Sequence, residues 1–273
     1  MSTPYRLGLV VPSSNVTMET ELPQLLARRA EVRPERFTCH ASRVRMTEVT
    51  AAQLAAMNDQ GARAAAEVAD AQVDAIAYGC LVAVMASGPG AHAVAERRLT
   101  EAVGGTPVVT SAGALVDGIR ALGAERVALI APYAAQLTSL VVDYLCAADI
   151  DVAAAVSLGV TDNRAVGRLD PARLVSIADR LDLRRVDALV VSACVQMPSL
   201  PVLEEVQRRT GVPTLSAATA TARSLLDVLG LDPVIPGAGA LLAPRRDGRR
   251  LASRFRSPCD PPAPHRSCPA AAC

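Results

Sequence analysis

Two stretches of this chain run in parallel: V-D-A-I-A-Y-G-C, ending at Cys80, and V-D-A-L-V-V-S-A-C, ending at Cys194. Each is an apolar, strand-like run that delivers a thiol to its carboxyl end, the edge at which open α/β sheets bind ligands. The likeness extends further. Arg6–Pro12 (R-L-G-L-V-V-P) resembles Arg126–Pro132 (R-V-A-L-I-A-P), and Gly105-Thr106-Pro107 resembles Gly211-Val212-Pro213. The separation between matched positions shrinks along the chain, so the second copy has shorter connections between elements kept in the same order. That pattern predicts a duplicated lobe rather than a short solenoid repeat.

Strand-like runs alternate with helix-like ones throughout, which predicts parallel sheets covered on both faces by helices. In the first copy the strands are read at Arg6–Val11, Thr38–Arg43, Asp74–Gly79 and Val108–Val109. Helices are read at Thr17–Arg29, Ala51–Ala69, from the Gly88-Pro89-Gly90 turn through Val103, and up to Leu122 with Ser111 as cap. In the second copy the strands fall at Val127–Ala131, Val152–Leu158, Ala188–Val191 and Thr214–Leu215. The helices between and after them fall at Gln136–Ala147, Pro171–Leu181, Val202–Arg209 and Thr219–Leu229. The expected fold is α/β: two pseudo-symmetric lobes, residues 1–118 with Cys80 and 119–242 with Cys194, the last helix packing back on the first lobe and the active site in the cleft between lobes.

From about Ala243 the composition changes to a proline-rich stretch with seven arginines against two aspartates. Residues 243–273 read as a disordered basic tail. A polyanion-binding arm would want interleaved aromatics, which this stretch lacks. Cys259, Cys268 and Cys273 are incidental to it.

Absences narrow the chemistry. All 28 basic residues are arginine, so a lysine Schiff base to pyridoxal phosphate and a standard Walker A loop are both impossible. His40, His92 and His265 are scattered without metal-ligand spacing, and neither copy has a G-x-G-x-x-G after a strand. No cofactor and no metal is therefore expected. A net charge of +1 gives no argument for nucleic acid or a membrane surface. The opening lacks a signal-peptide pattern and no apolar run approaches a membrane span, so the expected compartment is a reducing cytoplasm, where the seven cysteines stay thiols.

A lone cysteine after an apolar run is ordinarily a small buried hydrophobe. Packing alone does not ask for the same residue at the same place twice, and this favours chemistry at Cys80 and Cys194. Cys39 and Cys146, without matching partners, read as packing residues. Backbone amides of Leu81 and Val82 after Cys80, and of Val195 and Gln196 after Cys194, are placed to lower the thiol pKa or to bind a substrate carboxylate.

The opening L-V-V-P-S-S-N-V-T, the segment C-L-V-A-V-M and the run C-V-Q-M-P-S-L-P carry a resemblance. The two cysteine contexts resemble the aspartate/glutamate racemase superfamily, two-lobed α/β proteins with one cysteine from each lobe at the cleft. Within it, residues 6 to 242 look like the maleate cis-trans isomerase family. The resemblance implies Cys80 as nucleophile adding to maleate, Cys194 as proton carrier, a succinyl-thioether able to rotate, and fumarate as product. It further implies Asn15, Tyr133 and Asn163 as ligands of the two carboxylates, and a homodimer. Each ligand has a plainer reading: Asn15 as a helix cap, Tyr133 as a strand-end aromatic, Asn163 as a turn residue.

Two other readings stay open at this point. An amino-acid or hydantoin racemase would use both thiols as acid and base, although such relatives carry polar neighbours where Leu81, Val82 and Val195 stand. A two-lobed small-anion binding protein would explain a cleft but not two thiols facing it. An arylmalonate decarboxylase fits less well, since that branch keeps the second-lobe cysteine alone.

Overall fold

A computed structural model describes residues 3–244; the expectations for the tail fall almost wholly outside them. The first half builds β1 (Tyr5–Pro12), α1 (Met18–Arg29), β2 (Phe37–Val44), α2 (Ala51–Ala69), β3 (Ala75–Tyr78), α3 (Leu81–Met85), α4 (Ala91–Ala102), β4 (Val108–Thr110) and α5 (Ser111–Ala121). The second half builds β5 (Arg126–Ala131), α6 (Ala135–Cys146), β6 (Asp151–Ser157), α7 (Asn163–Val166), α8 (Ala172–Ala178), β7 (Ala188–Ser192), α9 (Leu203–Thr210), β8 (Thr214–Ser216) and α10 (Ala217–Val228).

The strands form two four-stranded sheets, β2-β1-β3-β4 and β6-β5-β7-β8, in which every pairing is parallel. The duplication seen in the sequence is thus a duplication of topology. β3 and β7 are buried at every residue, as central parallel strands covered on both faces must be. The outer strands β2 and β6 alternate between more and less exposed positions.

In both sheets the chain steps outward from β1 to β2, or β5 to β6, and then crosses to the other side for the next strand. The switch point therefore lies between β1 and β3 in one sheet and between β5 and β7 in the other, and a crevice opens at the carboxyl ends of such strand pairs. The crossings are closed alike: the Gly79 N–H donates to the Val10 carbonyl at 2.7 Å, and the Ala193 N–H to that of Ile130 at 2.9 Å. Cys80 and Cys194 each follow directly.

α10 lies against α5 and α1 of the first half. The segment after it is strapped to α1 by the buried Arg29, whose Nη1 donates to the carbonyls of Asp232 and Val234 while Nη2 pairs with Glu35. Gly211 ends α9 in the left-handed region, φ 70°, a conformation costly for any other residue.

Three local features depart from the sequence reading. Thr110, not Ser111, caps α5, its hydroxyl accepting the Gly113 N–H at 3.0 Å. Ser111 instead turns inward to the Tyr78 carbonyl. The short helices α3 and α7, which follow Cys80 and Asp162, lie where the sequence reading assigns no helix.

Candidate active site

Cys80 occupies the cap position of α3 and is 5% exposed; Cys194 follows Ala193 at the end of β7 and is 7% exposed. Gly79 has no space for a side chain, because a Cβ there would collide with Met18 Sδ. The glycine lets the end of β3 meet the first turn of α1. At the second thiol, the Ser192 hydroxyl donates to the carbonyls of Cys194 (2.8 Å) and Met197 (3.3 Å) and so ties down the turn that carries the sulfur. None of the four cysteines among the described residues is in a disulfide.

The structure brings Cys80, Cys194 and Tyr133 into one electrostatic neighbourhood. The Cys194 charge bears on Cys80, and both thiols bear on Tyr133. Tyr133 is buried, and its hydroxyl bonds to the Cys194 sulfur and to the Ala193 carbonyl at 3.3 Å. The Cys194 sulfur also accepts the N–H of Gln196 at 3.4 Å, and the Met197 N–H donates to the Cys194 carbonyl at 3.3 Å.

The expected lowering of the thiol pKa is not what the site displays. Burial pushes Cys80 up to about 12, with one backbone donor, Ala83, acting the other way and the Cys194 charge adding to the rise. Burial also raises Cys194, against the combined pull of Tyr133, Gln196 and Met197. Leu81, Val82 and Val195 are all buried and wall the thiols with hydrocarbon, so desolvation outweighs the few amides that reach the sulfurs. Stability is linked to the same shift. The folded state keeps the Cys80 proton through a range in which the unfolded chain, titrating near 9, has lost it. The native state then binds more protons, and unfolding becomes easier as pH rises from about 9 towards 12. Urea denaturation between about pH 8 and about pH 10.5 should show the wild type losing stability relative to Cys80→Ser, whose hydroxyl does not titrate there.

The two asparagines are placed differently from each other. Asn15 is 1% exposed, and its Oδ1 accepts the Met18 N–H at 3.0 Å, so the helix-cap reading holds for its oxygen. Its Nδ2, however, is one of three buried side-chain nitrogen or oxygen atoms without a partner among the described residues. A buried donor left unbonded costs on the order of 1–3 kcal/mol, and it marks a place where an acceptor fits. Asn163, also buried, opens α7 and donates from Nδ2 to Ser14 Oγ at 2.8 Å. Its segment pairs with the loop after β2: the Asn163 N–H reaches the Thr47 carbonyl, and Glu48 and Asp162 form a β-bridge.

Two buried side chains at this seam are not singled out in the sequence, where Gln196 is read for its backbone amide alone. Gln196 bonds to Ser14, Val16, Thr17 and Asn163. Glu21, on α1, accepts the N–H groups of Ser199 and Leu200 at 2.6 and 2.7 Å and holds the turn beyond Cys194. Neither side chain has a sequence signal: Glu21 reads as an ordinary acidic residue in a first helical turn, and Gln196 stands out for its amide after Cys194 and as part of the C-V-Q-M-P-S-L-P run, not for its carboxamide.

A two-sheet α/β protein with a thiol at each switch point is the class that fold and site define, and comparison with known proteins agrees. A family model described as arylmalonate decarboxylase matches residues 7–242. The maleate isomerase of Geobacillus stearothermophilus is 49% identical over 248 residues, 89% of this chain and 99% of its own length. Among solved structures, a cysteine-to-alanine variant of the Pseudomonas putida S16 maleate isomerase with maleate superposes with a TM-score of 0.87 at 48% identity, covering 88% of this chain and 98% of that one. A cysteine-to-serine variant of the Nocardia farcinica maleate cis-trans isomerase, with a covalently bound succinylcysteine intermediate, gives 0.84 at 49% identity, covering 88% and 98%. The chain belongs to the maleate isomerase family, within the wider group that the decarboxylase model describes.

Proposed function

We propose that this chain isomerises maleate to fumarate through a covalent succinyl-cysteine, with Cys80 as nucleophile and Cys194 as proton carrier. The Cys80 thiolate adds to one olefinic carbon, and the Cys194 thiol gives its proton to the neighbouring carbon. The former double bond is now single and rotates. Cys194, left as thiolate, takes a proton back from that carbon while the C–S bond breaks, and Cys80 leaves as thiolate. Every atom and charge is restored, so no redox or metal partner is required, and the covalent step divides one steep barrier into smaller ones.

The observation that carries this reading is the shared neighbourhood of two buried thiols and Tyr133. The unpartnered Asn15 Nδ2 adds a donor for one carboxylate. Asn163, Tyr133 and the amides of Leu81, Val82 and Val195 complete the ligand set in this reading. The trapped adduct in the Nocardia farcinica variant supports a division of labour in which one cysteine bonds to substrate and another moves the proton.

In this reading residues 1–118 and 119–242 are two lobes with the dicarboxylate held in the cleft between them. The reading includes a homodimer, which sedimentation would test, and a reducing cytoplasm, which keeps both thiols reduced. It involves neither nucleic acid nor a membrane, and no helix among the described residues is long and apolar enough to cross one.

The direct test is to incubate the purified full chain with maleate and follow loss of maleate and appearance of fumarate by proton NMR. Activity should survive dialysis and chelators and stop after thiol alkylation. Activity that vanishes on dialysis and returns with a metal or nucleotide would overturn the mechanism.

A further inference from the structure

We propose that the Gln196 carboxamide is the positioning residue that sets the two asparagine arms of the site against Cys194. The proposal rests on the maleate reading above and adds to it the part that fixes the geometry.

Gln196 is 2% exposed, and its side chain uses its whole hydrogen-bonding capacity on two separate arms. Oε1 accepts the N–H of Val16 at 3.0 Å and of Thr17 at 3.3 Å. Nε2 donates to the carbonyl of Ser14 at 2.9 Å and of Asn163 at 3.1 Å. An amide offers two acceptor sites and two donor protons, so none is left over. Meanwhile its backbone N–H reaches the Cys194 sulfur at 3.4 Å. A single residue therefore touches the thiol through its main chain and both arms through its side chain.

The way it grips the first arm is specific. Ser14 C=O and Val16 N–H flank Asn15 on either side, so the carboxamide holds that residue much as a neighbouring strand would. With Asn15 Oδ1 already fixed by the Met18 N–H, the direction of the unpartnered Nδ2 is set. Thr17, at the cap position of α1, makes no capping bond with its own side chain, and the Gln196 oxygen serves its N–H from the other half of the chain. Gly167 completes the fit: a Cβ there would lie 2.6 Å from Gln196 Nε2, so the amide occupies the space that any side chain would need.

A group that orients substrate ligands without touching the nucleophile should act on substrate binding. A misplacement near 1 Å can cost about 10²-fold. Gln196→Glu keeps the shape and both acceptor bonds but loses the donors to Ser14 and Asn163. Gln196→Ala removes all four bonds, and Gly167→Ala leaves the amide intact but displaces it. All three should raise KM for maleate by roughly 10- to 100-fold, with kcat changed only a few-fold and the rate of Cys80 alkylation by iodoacetamide near that of wild type. Adding Gly167→Ala to Gln196→Ala should raise KM no further, because the obstructed group is gone.

Should wild type convert maleate while the variants keep its KM, the positioning role is overturned even if their Tm falls. A collapse of kcat at unchanged KM overturns it equally. A wild type inert towards maleate overturns the parent reading, and this role falls with it. Gln196→Glu and Gly167→Ala are small enough changes to yield folded protein should Gln196→Ala fail to fold.

Discussion

Cys80→Ser should lower kcat/KM for maleate by roughly 10⁴-fold or more, the scale of loss expected when a covalent nucleophile is removed. A serine hydroxyl is almost wholly protonated at neutral pH, and no group around Cys80 is ready to activate it: Leu81 and Val82 are hydrocarbon, Cys194 enters the reaction as a protonated thiol, and Tyr133 is itself raised well above its ordinary value. The companion change should behave differently. Cys194→Ser leaves the nucleophile in place and weakens the proton carrier, so turnover should fall while a succinyl adduct builds up on Cys80. Peptide mass spectrometry after exposure to maleate separates the roles: one added maleic acid on the Cys80 peptide of Cys194→Ser, none on any peptide of Cys80→Ser. An adduct on Cys194 with Cys80 unmodified would reverse the assignment.

The unequal surroundings of the thiols support that assignment without reference to any relative. Cys194 is held by Tyr133 and the Gln196 amide at its sulfur and by the Met197 amide at its carbonyl, a fixed cradle suited to a group that gives up and retakes a proton at one carbon. Cys80 receives one amide and sits at the cap position of α3. Its pKa, raised by burial, makes a thiolate that is scarce but strongly nucleophilic when formed, since nucleophilicity rises with basicity among thiols.

What could be read from the sequence was whatever depends on period and position. The alternation of buried strands and amphipathic helices, the duplication and the two strand-end thiols all follow from local patterns, and the identical strand orders of the two sheets follow from the same duplication. What could not be read depends on contacts between distant residues. L-V-A-V-M after Cys80 is buried throughout and so has no polar face to display a helical period, which hid α3. Thr110 and Ser111 are equally good caps on paper; the extended backbone of Thr110, at the end of β4, decides between them. Strand-end placement pointed to depressed thiol pKa values because it counts nearby amides, whereas the actual balance depends on how much hydrocarbon closes over the sulfurs. Gln196 and Glu21 act across some 180 residues of chain, a separation at which no local pattern operates.

Asn15 is the position where a structural and a functional role share one side chain, and a single atom separates them. Asn15→Asp preserves the structural half. One carboxylate oxygen can still accept the Met18 N–H, aspartate caps helices as well as asparagine does, and a negative charge at the start of α1 is favourable. The other half is inverted. Where Nδ2 offered a proton, a carboxylate oxygen now faces the substrate's own carboxylate. Arg43, whose Nη1 reaches the Asn15 carbonyl at 3.0 Å, is already engaged by Glu19 and offers little relief. Two like charges about 4 Å apart repel by about 4 kcal/mol at an effective dielectric near 20, so KM should rise by roughly 10²- to 10³-fold. Tm should fall only slightly, because the cap is kept while the new buried carboxylate loses some solvation. Iodoacetamide, being neutral, should alkylate Cys80 at close to its normal rate. A variant that binds maleate normally would return Asn15 to the rank of a helix cap, and one with a large loss of Tm together with binding would show that the two roles cannot be separated at this residue.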